Sequence, residues 1–280
     1  MMKLVADSGS TKSIWVVLED SIEKSRIMTA GMNPYFHTSA SLEAVINAEL
    51  IPFLTPDHIR EIHFYGAGCS TEKNDDLVRD ALLVSFHKAR VHVYHDILGA
   101  ARALFGHNEG ISCILGTGCN CCYYDGIHIH TVVDSLGYLF GDEGAGSYLG
   151  KKLMEHYLKR QLPNDLSEAF DAKYHLTLED ILNALYNRPF PNRFLASFSE
   201  FIAPNQDHPF IHNLVREAFF AFLNAQVKYY PQYRNIPVSF VGSIAWFYRN
   251  ILEGVMRSEG IQIGSIVQAP IEGLIKYHTS

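Results

Sequence analysis

Short apolar runs open the chain, and runs with helical spacing follow them. Alternating or β-rich apolar runs predict strands, whereas apolar side chains recurring every three to four residues predict amphipathic helices. The predicted elements, in order, are strands 2–6, 13–19 and 25–30, helix 40–52, strand 61–66, helix 74–88, strand 91–94 and helix 97–105. Three hairpin-linked strands followed by alternating helices and strands indicate an α/β fold, with helices flanking a mixed sheet.

The same order of elements begins again after Gly106–Gly110, which has the composition of a linker. Strand, glycine-rich turn, strand, hairpin turn and strand occur twice, so the pattern predicts an internal duplication. The predicted elements of this half are strands 111–115, 119–124 and 127–133, helices 146–161, 165–172, 177–187, 191–203 and 209–230, strand 238–241, helix 244–258, strand 261–267 and a short terminal helix.

The duplication predicts two lobes, residues 1–106 and residues 107–267 with helical insertions. We expect the terminal segment, 268–280, to form a helix that packs back on the first lobe. The aromatic stripe of helix 209–230 is typical of a core and would serve a homodimer equally well.

The turn between the first two strands contains several residues suited to binding phosphate and a metal ion. Asp7 follows an apolar strand, and Gly9, Ser10, Thr11 and Lys12 form the tip of the predicted hairpin. Backbone N–H groups, hydroxyls and an ammonium suit phosphate oxygens, and a carboxylate suits hydrated Mg²⁺. We expect Gly9 to need a positive φ or a close approach to a ligand. An ordinary polar hairpin is the alternative for this stretch taken alone.

Two further polar residues stand at element ends. Asp96 follows strand 91–94 and opens a helix, at the edge where open α/β sheets bind ligands. The positive end of the helix should favour its ionised form. Asn33 precedes Pro34, so a loop presents its amide, as a sugar contact would require. A helix cap for Asp96 and a simple Asn-Pro turn for Asn33 are the alternatives.

Composition narrows the function classes. The 280 residues carry a net charge of −7, which argues against a nucleic-acid partner. The chain has no apolar run long enough to span a membrane, and its N-terminus enters a strand without the form of a signal peptide. Five cysteines without a small secreted framework suggest reduced thiols and a cytoplasmic protein.

Several motifs together resemble one family. They are the D-S-G-S-T-K-S run from Asp7, the G-M-N-P of Asn33, the H-D of Asp96, the L-G-T-G-C-N from Leu115, the G-Y-L-F-G-D-E-G-A-G-S around Asp142, and Gly242-Ser243. In order and spacing they resemble the N-acetylglucosamine kinase and BadF/BadG/BcrA/BcrD ATPase family. It belongs to the actin-like superfamily of sugar kinases and heat-shock ATPases.

The resemblance implies two ribonuclease-H-like lobes around a nucleotide cleft, and an enzyme that transfers a phosphoryl group from ATP to an amino sugar. Asp7 would hold hydrated Mg²⁺, and Thr11 and Lys12 would meet the terminal phosphates. Asp96 would be the base that accepts the proton of the sugar hydroxyl. The remaining implied contacts are Gly116, Thr117 and Gly118 for a second phosphate clamp, Gly242 and Ser243 for adenosine, and Asn33, Asn120 and Asp142 for the sugar.

The sequence departs from the family at two places and leaves two alternatives open. Cys119 stands where Ser is frequent, and Gly242-Ser243 where Gly-Gly is frequent. One alternative is a BadF-type ATPase that activates a dehydratase or reductase through a cysteine-bound iron–sulfur cluster. However, Cys121 and Cys122 are adjacent in a predicted strand and point to opposite faces. The other is a sugar-responsive regulator, whose added DNA-binding segment has no room before Asp7.

Overall fold

Two five-stranded sheets of the same topology form the framework of the computed structural model, which describes residues 1–280. Their strand orders are β3-β2-β1-β4-β5 and β8-β7-β6-β9-β10. In each, three strands form antiparallel hairpins and two more add in parallel to the first. The strands are β1 Met2–Ser8, β2 Lys12–Glu19, β3 Ile22–Ala30, β4 Ile59–Gly66, β5 Arg90–His95, β6 Gly110–Leu115, β7 Cys119–Tyr124, β8 Ile129–His130, β9 Val238–Val241 and β10 Ile263–Val267. The shared topology confirms the predicted duplication.

Thirteen α-helices surround these sheets. They are α1 Ser39–Val45, α2 Glu72–Ser85, α3 Asp96–Phe105, α4 Gly137–Phe140, α5 Gly146–Leu158, α6 Asn164–Tyr174, α7 Leu178–Tyr186, α8 Pro191–Ser197, α9 Ser199–Ile202, α10 Pro209–Ala225, α11 Ser243–Phe247, α12 Arg249–Ser258 and α13 Ile271–Thr279. A π-turn at Ile46–Leu50 extends α1, and short 3₁₀ turns lie at Pro34–Phe36, Ile51–Phe53, Pro56–His58, Ala203–Asn205 and Val227–Tyr229. None of the helices combines the length and apolar character that crossing a bilayer requires.

The chain divides into two compact units. Unit 1 comprises Met1–Asn108, Gly126–His128 and Pro270–Ser280, and unit 2 comprises Glu109–Asp125 and Ile129–Ala269. The unit bounds lie two residues beyond the predicted ones at 106 and 267. Residues 126–128 were placed in the second lobe by the sequence pattern, whereas the structure packs them with unit 1, where Gly126 lies against the His107 carbonyl.

Both faces of the unit 1 sheet are covered. On one face, Leu4, Ala6 and Trp15 belong to a core cluster that includes buried residues of α1 and α2. On the other face, Val5 and Val16 pack with Ile271 and Leu274 of α13. Alternate residues of a strand point to opposite faces, so one apolar run supplies both cores.

One large cluster forms the core of unit 2. The helix α10 contributes Ala218, Phe219, Phe222 and Leu223, all at most 1% exposed. The aromatic stripe predicted as core therefore lies in the core of this unit.

Two predicted helices are interrupted for identifiable reasons. The helix predicted over 191–203 breaks at Phe198, where the hydroxyls of Ser197 and Ser199 donate to the carbonyls of Phe194 and Ala196. Such local bonds compete with the helical pattern. The helix predicted over 244–258 breaks at Tyr248, whose side chain is buried and whose hydroxyl donates to the Ser199 carbonyl.

The docking of α13 depends on a glycine. A Cβ atom at Gly273 would lie 2.2 Å from the carbonyl oxygen of Ala103 in α3. We expect Gly273→Ala to lower the free energy of unfolding by about 1–3 kcal/mol, because α13 must shift away from α3. Urea denaturation measures the change.

The matched control is Gly254→Ala in α12, where an added Cβ meets nothing within 4 Å. Alanine has the higher helix propensity, so this variant should gain up to about 1 kcal/mol. Equal effects of the two substitutions would contradict the proposed role of Gly273.

Candidate functional site

The predicted turn between β1 and β2 exists, and its backbone is tightly bonded. Gly9 N–H donates to the Lys12 carbonyl at 3.0 Å, and Gly31 N–H donates to the Thr11 carbonyl at 3.0 Å. The expectation for Gly9 is wrong as regards φ, since Gly9 is not among the residues with positive φ, and a Cβ there would make an ordinary contact of 3.6 Å. The glycine that packing requires is Gly31, where a Cβ would lie 2.4 Å from the Gly9 carbonyl oxygen.

Asn33 is joined to this turn. Its Nδ2 donates to Ser10 Oγ at 2.8 Å, and its Oδ1 accepts the N–H of Tyr35 at 3.0 Å. The side chain is only 8% exposed, and it caps the 3₁₀ turn Pro34–Phe36. The amide therefore supports the shape of the turn, as the Asn-Pro alternative required. Its predicted contact with a sugar stays a prediction.

Two carboxylates of unit 1 influence each other. Asp7 lies near the end of β1, and Asp96 lies directly after β5, with β4 between the two strands. Burial, followed by the negative charge of Asp96, raises the pKa of Asp7 to about 7, while the Lys12 ammonium opposes the rise. Asp7 is thus a buried carboxylate whose negative charge Lys12 only partly compensates.

Asp96 is the first residue of α3 and not its cap; the N-cap position belongs to His95. The capping alternative for Asp96 is therefore wrong. The expected preference for the ionised form is also corrected, because burial raises the pKa of Asp96. The charge of His95 and a backbone hydrogen bond from Ile97 only oppose that rise. Asp96 Oδ1 is buried and makes no hydrogen bond within the protein.

These features fit a divalent cation and a substrate hydroxyl. A buried carboxylate whose ionisation is disfavoured by a like charge is stabilised by a nearby cation. Mg²⁺ prefers carboxylate oxygen and retained water, so Asp7 suits the predicted role. A raised pKa also suits a general base, since efficient bases titrate near the working pH.

The second glycine turn, Gly116–Gly118, is held in unit 2 by the first two residues of α5. Gly146 N–H donates to the Gly116 carbonyl at 2.8 Å, and Ser147 N–H donates to the Thr117 carbonyl at 3.0 Å. A Cβ at Gly118 would lie 2.8 Å from Asp142 Oδ1, so glycine permits the close approach of that carboxylate.

Asp142 is the centre of this connection. Its Oδ1 accepts the backbone N–H of Cys119 at 2.9 Å, and its Oδ2 accepts the hydroxyl of Ser147 at 3.2 Å. Burial raises its pKa, and the bonds from Cys119 and Ser147 oppose the rise. Asp142 itself has a φ of 60°, in the left-handed region. Backbone strain of this kind is frequent at functional sites.

The third glycine turn lies beside the second. β6 and β9 are parallel neighbours, and both turns follow their carboxyl ends. Gly242 has a φ of 128°, and a Cβ there would lie 2.2 Å from the Leu115 carbonyl oxygen, so glycine is required. Ser243 begins α11. Residues 116–118 and 242–243 are thus brought together within unit 2.

The residues of β7 are almost fully buried. Asn120 is 8% exposed, and its Oδ1 accepts the N–H of Cys121 at 2.9 Å. Cys121 Sγ lies 3.6 Å from Cys113 Sγ on the facing strand, and burial raises the pKa of both thiols.

Two residues were missed by the sequence analysis. Ser147 supports both the glycine turn and Asp142, and its place in the first turn of a helix after a glycine-rich loop was the available signal. Ser8 is the other, because its hydroxyl is hydrogen-bonded to that of Ser13 at 2.7 Å and accepts Met32 N–H. Nothing in the local pattern distinguished Ser8 from other strand-end serines.

Solved structures place this arrangement in a family. The chain is 42% identical to a protein from Porphyromonas gingivalis that is provisionally named an N-acetylglucosamine kinase. The alignment covers 99% of each chain, with a TM-score of 0.95. The chain belongs to the N-acetylglucosamine kinase-like family. No protein-family model and no curated protein matches the chain.

Structures with lower sequence identity share the fold of the chain. A protein from Chromobacterium violaceum, also provisionally named an N-acetylglucosamine kinase, is 16% identical, with a TM-score of 0.73 and coverage of 99% and 98% of the two chains. A glucokinase of the ROK family from Streptomyces griseus, solved with glucose and AMPPNP, is 14% identical, with a TM-score of 0.59 and the same coverage. The predicted α/β fold of two actin-like ATPase lobes is confirmed.

Proposed function

We propose that the chain is an ATP-dependent sugar kinase that phosphorylates a hydroxyl of an amino sugar, with N-acetylglucosamine as the preferred substrate. The observation that carries this proposal is the 42% identity, over 99% of both chains, to the Porphyromonas gingivalis protein named for that activity. The acidic pair of unit 1 and the glycine turns of unit 2 supply the chemistry that the reaction needs.

In this proposal, Asp96 accepts the proton of the attacking hydroxyl. Its Oδ1, which makes no hydrogen bond within the protein, and its raised pKa both suit the acceptance of a proton. Asn33, Asn120 and Asp142 hold the sugar. For Asp142, each carboxylate oxygen has a second lone pair beyond the one that its bond to Cys119 or Ser147 uses.

The nucleotide contacts follow the same proposal. Thr11 and Lys12, with the backbone at Gly9 and Ser10, bind the terminal phosphates. Gly116, Thr117 and Gly118 form a second phosphate clamp, and Gly242 and Ser243 line the adenosine. Asp7 holds Mg²⁺ through water, and the ion neutralises charge on the phosphate oxygens. Phosphoryl transfer depends on such positioning and charge stabilisation.

The five buried thiols support a further part of the proposal, a location in the cytoplasm, where thiols stay reduced. The homodimer stays a prediction. Light scattering of the purified protein tests the dimer.

A substrate screen tests the function. Purified protein is given ATP, Mg²⁺ and, in turn, N-acetylglucosamine, glucosamine, N-acetylmannosamine and muramic-acid sugars, while ADP and sugar phosphate are both measured. We expect the highest kcat/KM for N-acetylglucosamine, with one ADP per sugar phosphate. ATP hydrolysis that no sugar stimulates would contradict the proposal and favour the ATPase-activator alternative.

A further inference from the structure

The neighbourhood of Asp96 is rich in acidic groups. The charge of Asp96 acts on Asp7 of β1, and Asp75 of α2 interacts with His95. Burial, followed by the charges of Asp75 and Asp96, raises the pKa of the Cys69 thiol. Oδ1 of Asp75 and Oδ1 of Asp96 are both buried without a hydrogen-bond partner. Because Oδ1 of Asp96 makes no hydrogen bond, the orientation of this carboxylate depends on the other groups that contact it.

His95 is the basic group in contact with Asp96. Its Nε2 lies 3.2 Å from Asp96 Oδ1, and the two side chains are 28% and 25% exposed. His95 occupies the N-cap position of α3, yet its ring makes no capping bond to the helix. The imidazole is therefore free to face the carboxylate, and the helix start fixes both residues relative to each other.

We propose that His95 is a positioning residue for phosphoryl transfer: its Nε2, which lies 3.2 Å from Asp96 Oδ1, limits rotation of the carboxylate that accepts the proton of the sugar hydroxyl. This inference rests on the proposed function, in which Asp96 is the base. The contact restricts rotation of the carboxylate, and misplacement of a reacting group by about 1 Å can cost about 100-fold in rate. His95 acts only through Asp96 and touches neither substrate.

Alanine and glutamine at position 95 separate positioning from folding. We expect His95→Ala to lower kcat for N-acetylglucosamine about 10-fold or more, with the KM values for ATP and sugar unchanged. His95→Gln returns a nitrogen donor at a similar reach and should recover most of kcat. A role in folding alone would lower the thermal midpoint of His95→Ala and leave its kcat per folded molecule normal, which would overturn the proposal.

His92→Ala is the matched control. His92 lies on the same strand, is 26% exposed, and places its Nε2 3.8 Å from Glu61 Oε1. The His92→Ala variant thus loses an imidazole–carboxylate contact that does not involve Asp96. We expect its kcat to stay at the wild-type value. A loss equal to that of His95→Ala would contradict a specific role for His95.

A measurement without turnover distinguishes this inference from the proposed function. In protein labelled with ¹³C-aspartate, the Asp96 carboxyl signal is identified by its loss in Asp96→Asn. We expect that signal to move in His95→Ala and to stay in His92→Ala. An unmoved signal in His95→Ala would overturn the inference even if the wild type is an active kinase. A wild type that phosphorylates no sugar would instead overturn the proposed function, and with it the role of His95 in catalysis.

Discussion

Replacement of Asp96 by asparagine is expected to lower kcat for the amino sugar by at least about 100-fold, because a positioned general base contributes about 10²–10⁴-fold. Asparagine keeps the shape of the side chain and cannot accept the proton. Because this shape is unchanged, the fold should persist. The affinity for ATP should change little, since Asp96 serves the sugar. Steady-state kinetics and nucleotide binding by calorimetry measure both quantities.

A control substitution addresses the loss of charge alone. Asp165 also lies in the first turn of a helix, α6, and its carboxylate lies 3.3 Å from an imidazole, that of His208. It is 68% exposed and far along the chain from the predicted site. Asp165→Asn should keep wild-type kcat. Near-normal activity of Asp96→Asn would remove the assignment of Asp96 as the base while leaving the fold unaffected.

The second large effect concerns Asp7. In the wild type, Mg²⁺·ATP at about 100 times its Kd should stabilise the protein by about 2.7 kcal/mol, which corresponds to a rise in Tm of about 5–10 °C. In Asp7→Ala, we expect the Mg²⁺-dependent part of this rise to disappear. Differential scanning fluorimetry with ATP, with and without Mg²⁺, measures it.

The ligand-free Asp7→Ala protein provides an internal check. Burial and the Asp96 charge disfavour the ionised form of Asp7, so its removal relieves repulsion. We therefore expect the Tm without nucleotide to be at least that of the wild type. Asp20→Ala, at an exposed turn, serves as the control for loss of an acidic residue. If Mg²⁺ still adds to the ATP-induced rise in Asp7→Ala, Asp7 does not hold the metal.

The strands could be predicted from the sequence because their apolar runs are bounded by turns that local chemistry specifies. The β1–β2 hairpin and its counterpart β6–β7 are examples, and each is closed by a glycine-containing turn. The interruptions of the helices could not be predicted in the same way. At Phe198, the hydroxyls of Ser197 and Ser199 donate to backbone carbonyls and interrupt the helix. At Tyr248, the side chain is buried and its hydroxyl donates to the Ser199 carbonyl. These contacts are visible only in the folded chain.

At the candidate site, the kinds of residue were predictable and their electrostatics were not. The position of Asp96 at a strand end was visible in the sequence, and a helix end alone would favour its charge. Burial outweighs that effect in the structure and raises its pKa. Burial depends on tertiary packing with elements such as β1, which carries Asp7 and lies far from Asp96 in the sequence. The role of Gly31 was hidden for the same reason, since its neighbour is the carbonyl of Gly9.

The packing of α13 on the first sheet has a consequence for synthesis of the chain. Val5 and Val16 are made long before the residues that cover them, Ile271 and Leu274. A ribosome would therefore release the N-terminal sheet with part of one apolar face uncovered until α13 emerges. Such exposed faces attract chaperones and other nascent chains. Truncation before Pro270 should then produce aggregation, even though every residue of Met1–Asn108 is present.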